Sequence, residues 1–120
     1  MSNGGIKVDV AHVGELAVTT VRGELDIGSA DDLSAALDKV VADQNVVVDL
    51  SEVDFMDSSG LAVLLRDAMR RRDAGGTLQI RRPSVPVQRL LVFCCLEHLL
   101  EPEPVAEKPK RGWTLKRTKP

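Results

Sequence analysis

A chain of 120 residues has room for one domain built on a single hydrophobic core. It is 43% apolar but only 2% aromatic, the aromatics being Phe55, Phe93 and Trp113, so the core must be aliphatic and the stacking surface of a base- or sugar-binding protein is missing. The net charge of −2 hides a division: residues 1–107 hold all 18 acids against ten of the 16 basic residues, while the last 13 residues carry Lys108, Lys110, Arg111, Lys116, Arg117 and Lys119.

Ile6, Val8 and Val10 alternate with Lys7 and Asp9, and after Val13-Gly14-Glu15 the alternation resumes through Leu16, Val18 and Thr20, which predicts a β-hairpin. Gly23-Glu24-Leu25-Asp26 ends its second strand. Ser29 is placed to cap a helix with Asp31 and Asp32 in the first turn and an apolar stripe of Leu33, Ala36, Leu37, Val40 and Val41. The β-branched run Val46-Val47-Val48 suits a central strand covered on both faces. From Ser58 the period becomes helical: Leu61, Leu64, Leu65, Ala68 and Met69 share a face, and Arg66, Asp67, Arg70 and Arg71 fall away from it. Gly75-Gly76 ends this helix. Thr77–Ile80 is a short strand, Pro83-Ser84 opens a third helix carrying Val87, Leu90, Leu91 and Cys94, and Leu99-Leu100 begins a last strand before Glu101-Pro102-Glu103-Pro104. The order β-β-α-β-α-β-α-(β) predicts an α/β domain over residues 1–101, with a mixed four- to five-stranded sheet and helices packed against it. Residues 102–120 read as a Pro-rich, basic tail, expected to be flexible, in which Trp113 is the one large aromatic.

Little in this pattern is catalytic. Neither Ser58 nor Ser59 lies in a G-x-S-x-G elbow, His12 and His98 sit in distant segments, and neither a Walker A sequence nor G-x-G-x-x-G occurs. Glu24, Asp26, Asp54 and Asp57 could converge on an acid/base or Mg²⁺ site, but solvated acids at strand ends account for them as well. No catalytic residue, cofactor or metal is expected. Cys94 and Cys95 are adjacent, can bridge nothing distant, and read as buried thiols. A short basic arm beside an acidic domain is a weak nucleic-acid signal, since the arm can fold back on the domain, and no direct nucleic-acid contact is expected. No apolar run reaches the length of a membrane span, and Met1–Gly5 lacks the pattern of a signal peptide, so a cytoplasmic protein without membrane contact is expected.

The most informative stretch is Val53-Asp54-Phe55-Met56-Asp57-Ser58-Ser59-Gly60-Leu61, where an apolar strand meets an acid, two serines and a glycine before the long helix. Asp57 or Ser58 can cap that helix. A hydroxyl left facing solvent at a helix N-terminus is also a suitable place for a reversible phosphate, which adds about −1.5 to −2 charges and three acceptor oxygens.

Phe55-Met56-Asp57-Ser58-Ser59-Gly60-Leu61 resembles the signature of the anti-sigma factor antagonists of the STAS domain family, and Gly23-Glu24-Leu25-Asp26 is similar to that family's second recurring segment. Ser84, Val87, Arg89, Leu90 and Leu96 also stand where the family's third helix and its exit have such residues. The resemblance implies a bacterial switch protein, not an enzyme. Its unphosphorylated form would bind an anti-sigma factor with serine kinase activity and release the sigma factor for transcription, and a PP2C-type phosphatase would restore that form. It implies Ser58 as the phospho-acceptor, with Ser59 as the alternative, and a partner surface of Glu24, Asp26, Asp57, Ser58, Ser59 and Gly60. A STAS module that is never phosphorylated, serving as a scaffold or an anion- or nucleotide-sensing unit, is the alternative. The sequence departs from the family at Cys94-Cys95, where a small residue is usual, and beyond Leu100, where the tail replaces a final helix.

Overall fold

The structure, a computed structural model, describes residues 5–102; Trp113 and the predicted tail beyond Pro102 lie outside the described residues. β1 (Ile6–Val13) and β2 (Leu16–Leu25) form the expected hairpin, paired antiparallel from Val13 opposite Leu16 to Ile6 opposite Gly23. β3 (Asn45–Met56) and β4 (Leu78–Arg81) join in parallel, each after a helix: α1 (Ala30–Asp38), then α2 (Ser58–Ala74). The result is a mixed four-stranded sheet in the order β1-β2-β3-β4, α/β in class. A fifth strand at Leu99-Leu100 does not form. A 3₁₀ turn at Glu97–Leu99 leads to one parallel bridge, Leu100 to Ile80, and the Glu101 N–H donates to the Ile80 carbonyl at 2.7 Å. Pro102 then has no N–H to extend the ladder.

In β2 the fully buried residues are Ala17, Thr19, Val21 and Leu25, and the expected stripe of Leu16, Val18 and Thr20 is the half-buried one. The reason lies in the neighbours: Ala17 and Val21 share the aliphatic core with Val46, Val48 and Leu50 of β3 and with Leu33, Leu37, Leu61 and Leu64 of the two helices. Val47, on the opposite face of β3, is also buried, as expected for a central strand. Two irregularities in the β2–β3 register, between Thr20 and Arg22 and between Gly23 and Glu24, each set an extra β3 residue against β2. Burial in β3 accordingly changes to a spacing of three, through Leu50, Val53 and Met56.

β4 stops at Arg81, opposite Asp49, and leaves the rest of that β3 edge without a strand. Ser84 takes over: its N–H donates to the Leu50 carbonyl at 3.1 Å and its hydroxyl to the Val53 carbonyl at 2.6 Å. This anchors α3 (Val85–Phe93), whose Val87 and Leu91 enter the core.

Four sequence expectations are corrected by packing. Asp67 and Arg71 are buried, because α1 lies across that side of α2, and Arg71 fills the gap at the end of α1. Met69 is exposed instead. Val41 is exposed because α1 ends at Asp38 and the chain turns before it. Cys94 and Cys95 are both exposed free thiols, since α3 ends at Phe93 and Cys95 adopts φ +59° in the outward turn that follows. No helix among the described residues is long and apolar enough to cross a membrane.

Candidate functional site

The parallel ladder brings the ends of β2 and β3 together, with Glu24 opposite Phe55 and Leu25 opposite Met56. The next amide, that of Asp57, donates to the Leu25 carbonyl at 3.2 Å, so strand pairing runs directly into the start of α2. Asp57 is the N-cap: its Oδ1 accepts from the Ser59 N–H at 2.8 Å and the Gly60 N–H at 3.4 Å. Two of the amides that the first turn leaves open are therefore satisfied by a carboxylate. Ser58 is left as the first helical residue, exposed, and its hydroxyl makes no hydrogen bond among the described residues. Ser59 is half-buried.

Gly60 fixes how closely α2 approaches β2. A Cβ at this position would stand 2.5 Å from Leu25 Cγ and 2.9 Å from the Leu25 carbonyl oxygen. The conflict with backbone cannot be relieved by a rotamer change, so only glycine allows this approach. Leu25 is the third residue of the G-E-L-D segment and Gly60 the last of D-S-S-G. The two segments, distant in sequence, meet at this contact.

The loop leaving β2 is held by Ser29, though not in the way the sequence suggests. Ser29 occupies the N-cap position of α1 but makes no side-chain capping bond. Its buried hydroxyl donates to the Glu24 carbonyl at 2.6 Å and accepts from the Asp26 N–H at 3.1 Å. Asp26 Oδ1 accepts from the Gly28 N–H at 2.9 Å, which makes this acid half-buried and part of the turn. Glu24 is exposed.

The surface around Ser58 thus combines the carboxylates of Glu24, Asp26 and Asp57 with two apolar side chains, Phe55 of the signature segment and Ile27, which sequence reasoning did not single out. Ile27 is 81% exposed and Phe55 is 47% exposed. Ile27 stands outside any helical or strand period, and an isolated apolar residue in a polar turn was the available signal. Glu24, Asp26, Asp54 and Asp57 are not gathered into a ligand set, and no group of three His, Cys, Asp or Glu suited to a metal occurs among the described residues. The site offers an exposed hydroxyl, acids and apolar contact area, with no general base against Ser58.

A family model described as Mlab, STAS domain matches residues 8–101. The chain belongs to the STAS domain family. This STAS domain is 28% identical over 89 residues to an anti-sigma F factor antagonist of Paenibacillus polymyxa, a match covering 72% of the present chain and 76% of that one. It is 43% identical over 61 residues to the anti-sigma-F factor antagonist RsfB of Mycobacterium tuberculosis, across about half of each protein (49% and 50%). Among solved structures, an anti-sigma factor antagonist from Mycobacterium paratuberculosis superposes with a TM-score of 0.72 at 27% identity, covering 82% of this chain and 86% of that one. The mixed sheet and its helices are therefore those of the STAS fold.

A phosphate on Ser58 of this STAS domain would enter a crowded N-terminus. The positive end of α2 favours it, but the Ser59 and Gly60 amides already serve the Asp57 carboxylate. The added charge would therefore lie beside Asp57, directed outward, on the face that also carries Glu24.

Proposed function

We propose that this protein is an anti-sigma factor antagonist whose binding surface is the Glu24–Phe55–Ser58 face and whose switch is phosphorylation of Ser58. The unphosphorylated form binds an anti-sigma factor that is itself a serine kinase, and sigma factor is thereby released for transcription. A PP2C-type phosphatase returns the modified protein to the binding form. The observation that carries the reading is the division of labour at the start of α2: Asp57 caps the helix, and the Ser58 hydroxyl faces solvent. Ser59 is the poorer acceptor because it is half-buried and its amide is held by Asp57.

Phosphate at this position adds about −1.5 to −2 charges beside Asp57 and Glu24, so a partner docking there meets like-charge repulsion and a larger desolvation cost. The fold should tolerate it, since no hydrogen bond of the Ser58 hydroxyl is lost. Mass spectrometry of protein isolated from its native cells tests the acceptor, with phosphate expected on Ser58. Calorimetric titration of a captured anti-sigma factor tests the switch: the phosphorylated form should bind more weakly, and Ser58→Asp should weaken binding in part, having one charge and two oxygens. Phosphate found only elsewhere, or equal affinity for both forms, overturns the reading.

A further inference from the structure

The outer side of β1 pairs with nothing among the described residues. Gly14, at φ +61°, and Glu15 close the β1–β2 hairpin as a two-residue turn, so Val13 and Leu16 form the hydrogen-bonded pair beside it. Alternation along an antiparallel ladder then turns the backbone groups of Lys7, Asp9 and Ala11 toward β2. Those of Ile6, Val8 and Val10 point to the open edge. An edge of this kind is a template for another strand unless charge prevents it.

We propose that this edge pairs with the β1 of a second copy of the chain, antiparallel about a two-fold axis through Val8. A two-fold axis normal to the sheet keeps each face continuous, so residues of like parity must face each other. With the axis at Val8, Ile6 lies opposite the partner copy's Val10 and Lys7 opposite its Asp9, each twice. The charge pair falls at a position without backbone bonds, where side chains are closest. Other registers lose this match. An axis at Lys7 or Asp9 sets like charges opposite each other, and an axis at Val10 places Lys7 and Asp9 against Val13 and Ala11. An edge lysine ordinarily deters pairing. Here Asp9 neutralises it in one register only.

The hairpin prepares both charges. Lys7 lies opposite Arg22, a like charge, and makes no ion pair among the described residues. Arg22 leans instead to Asp9 at 3.2 Å and to Glu52 at 3.0 Å, which steadies the Asp9 carboxylate at the edge. The dimer is an eight-stranded sheet whose halves run in opposite directions. The two Ser58 faces lie at its opposite ends, so each copy keeps its own site.

Sedimentation equilibrium of the full chain, from micromolar to near-millimolar protein at low salt, tests the proposal. Wild type should form a concentration-dependent dimer, and Lys7→Asp should weaken it by about ten-fold, since two attractive pairs become repulsive. The charge-swapped Lys7→Asp/Asp9→Lys protein should dimerise like wild type, because the swap preserves the symmetric match. Hydrogen exchange supplies a second readout that needs no variant: the Ile6, Val8 and Val10 amides should slow with rising concentration, and those of Lys7 and Asp9 should not change. A monomer at every concentration, a dimer indifferent to Lys7→Asp, a swap that fails to restore it, or exchange independent of concentration overturns the proposal.

Discussion

Arg71 of α2, with no exposed surface, donates through Nη2 to the carbonyl of Leu37 at 2.9 Å and so closes the end of α1. The same guanidinium reaches the Val41 carbonyl at 2.8 Å, and its Nε–H meets Asp67 at 2.6 Å. A helix C-terminus leaves carbonyls without partners, and here a side chain from the neighbouring helix supplies them. Arg71→Ala should cost about 3–5 kcal/mol, because it breaks the buried pair with Asp67, which keeps only the half-exposed Arg70 at 2.8 Å, and leaves the α1 carbonyls without a donor. Urea denaturation measures this, and Arg71→Lys should recover only a minor part, lacking the fork of donors.

Gly60→Ala should destabilise by about 1–3 kcal/mol, the usual cost of overpacking, since the added methyl meets both the side chain and the carbonyl of Leu25. Its effect on partner binding should exceed its effect on folding, because α2 must shift and carry Ser58 away from Glu24. Comparing the change in affinity with the change in denaturation midpoint checks the ordering.

Ser58 and Asp57 should separate cleanly. Ser58→Ala removes no hydrogen bond and should change stability by less than about 0.5 kcal/mol, as an exposed substitution does. Asp57→Ala removes the cap and should cost about 0.5–2 kcal/mol. Thermal melts of both variants decide this, and radiolabel transfer should be abolished by Ser58→Ala.

Thr19→Val should stabilise the protein. The Thr19 hydroxyl is buried in the core and finds no hydrogen-bond partner among the described residues. An isosteric methyl removes a desolvation cost of about 1–3 kcal/mol for an unsatisfied group, and a raised Tm is the expected readout.

Acid should weaken the β3–β4 side of the sheet first. Burial raises the Asp49 carboxyl, but hydrogen bonds from the Ser51 amide and from Arg82 outweigh it and hold the group below the ordinary aspartate range. The Arg81 side chain lowers Glu101 in the same sense. Both carboxylates are more acidic folded than unfolded, so their contribution is complete above the unfolded value, near pH 4, and is lost as pH falls through the folded one. Denaturation midpoints measured downward from pH 5 should fall less steeply in Asp49→Asn than in wild type.

The sequence carried the order of elements and the two segments of the site because both are written in local periods and in glycine, serine and aspartate spacing. It did not carry the roles that depend on contact between elements. Asp67 and Arg71 look solvated on a helical wheel, and only the arrival of α1 above them makes burial favourable. Ser29 looks like a cap, yet the Glu24 carbonyl and the Asp26 amide compete for its hydroxyl and win. In β3 the two extra residues interrupt the simple alternation, so Leu50, Val53 and Met56 enter the core at a spacing that comes from pairing with β2 and that no local window contains.

The grip of the Asp57 carboxylate on the Ser59 and Gly60 amides also has a kinetic side. A kinase that needs its acceptor in an extended strand must work on molecules whose first helical turn has frayed, and each fraying event breaks the cap. Where Ser58 is phosphorylated as proposed, the rate of transfer would then depend partly on how often α2 unwinds at its tip. Asp57→Ala, which loosens that tip, should be labelled faster at saturating kinase even as it melts earlier. The cap would act as a throttle on the speed of signalling, separate from the affinity of either partner.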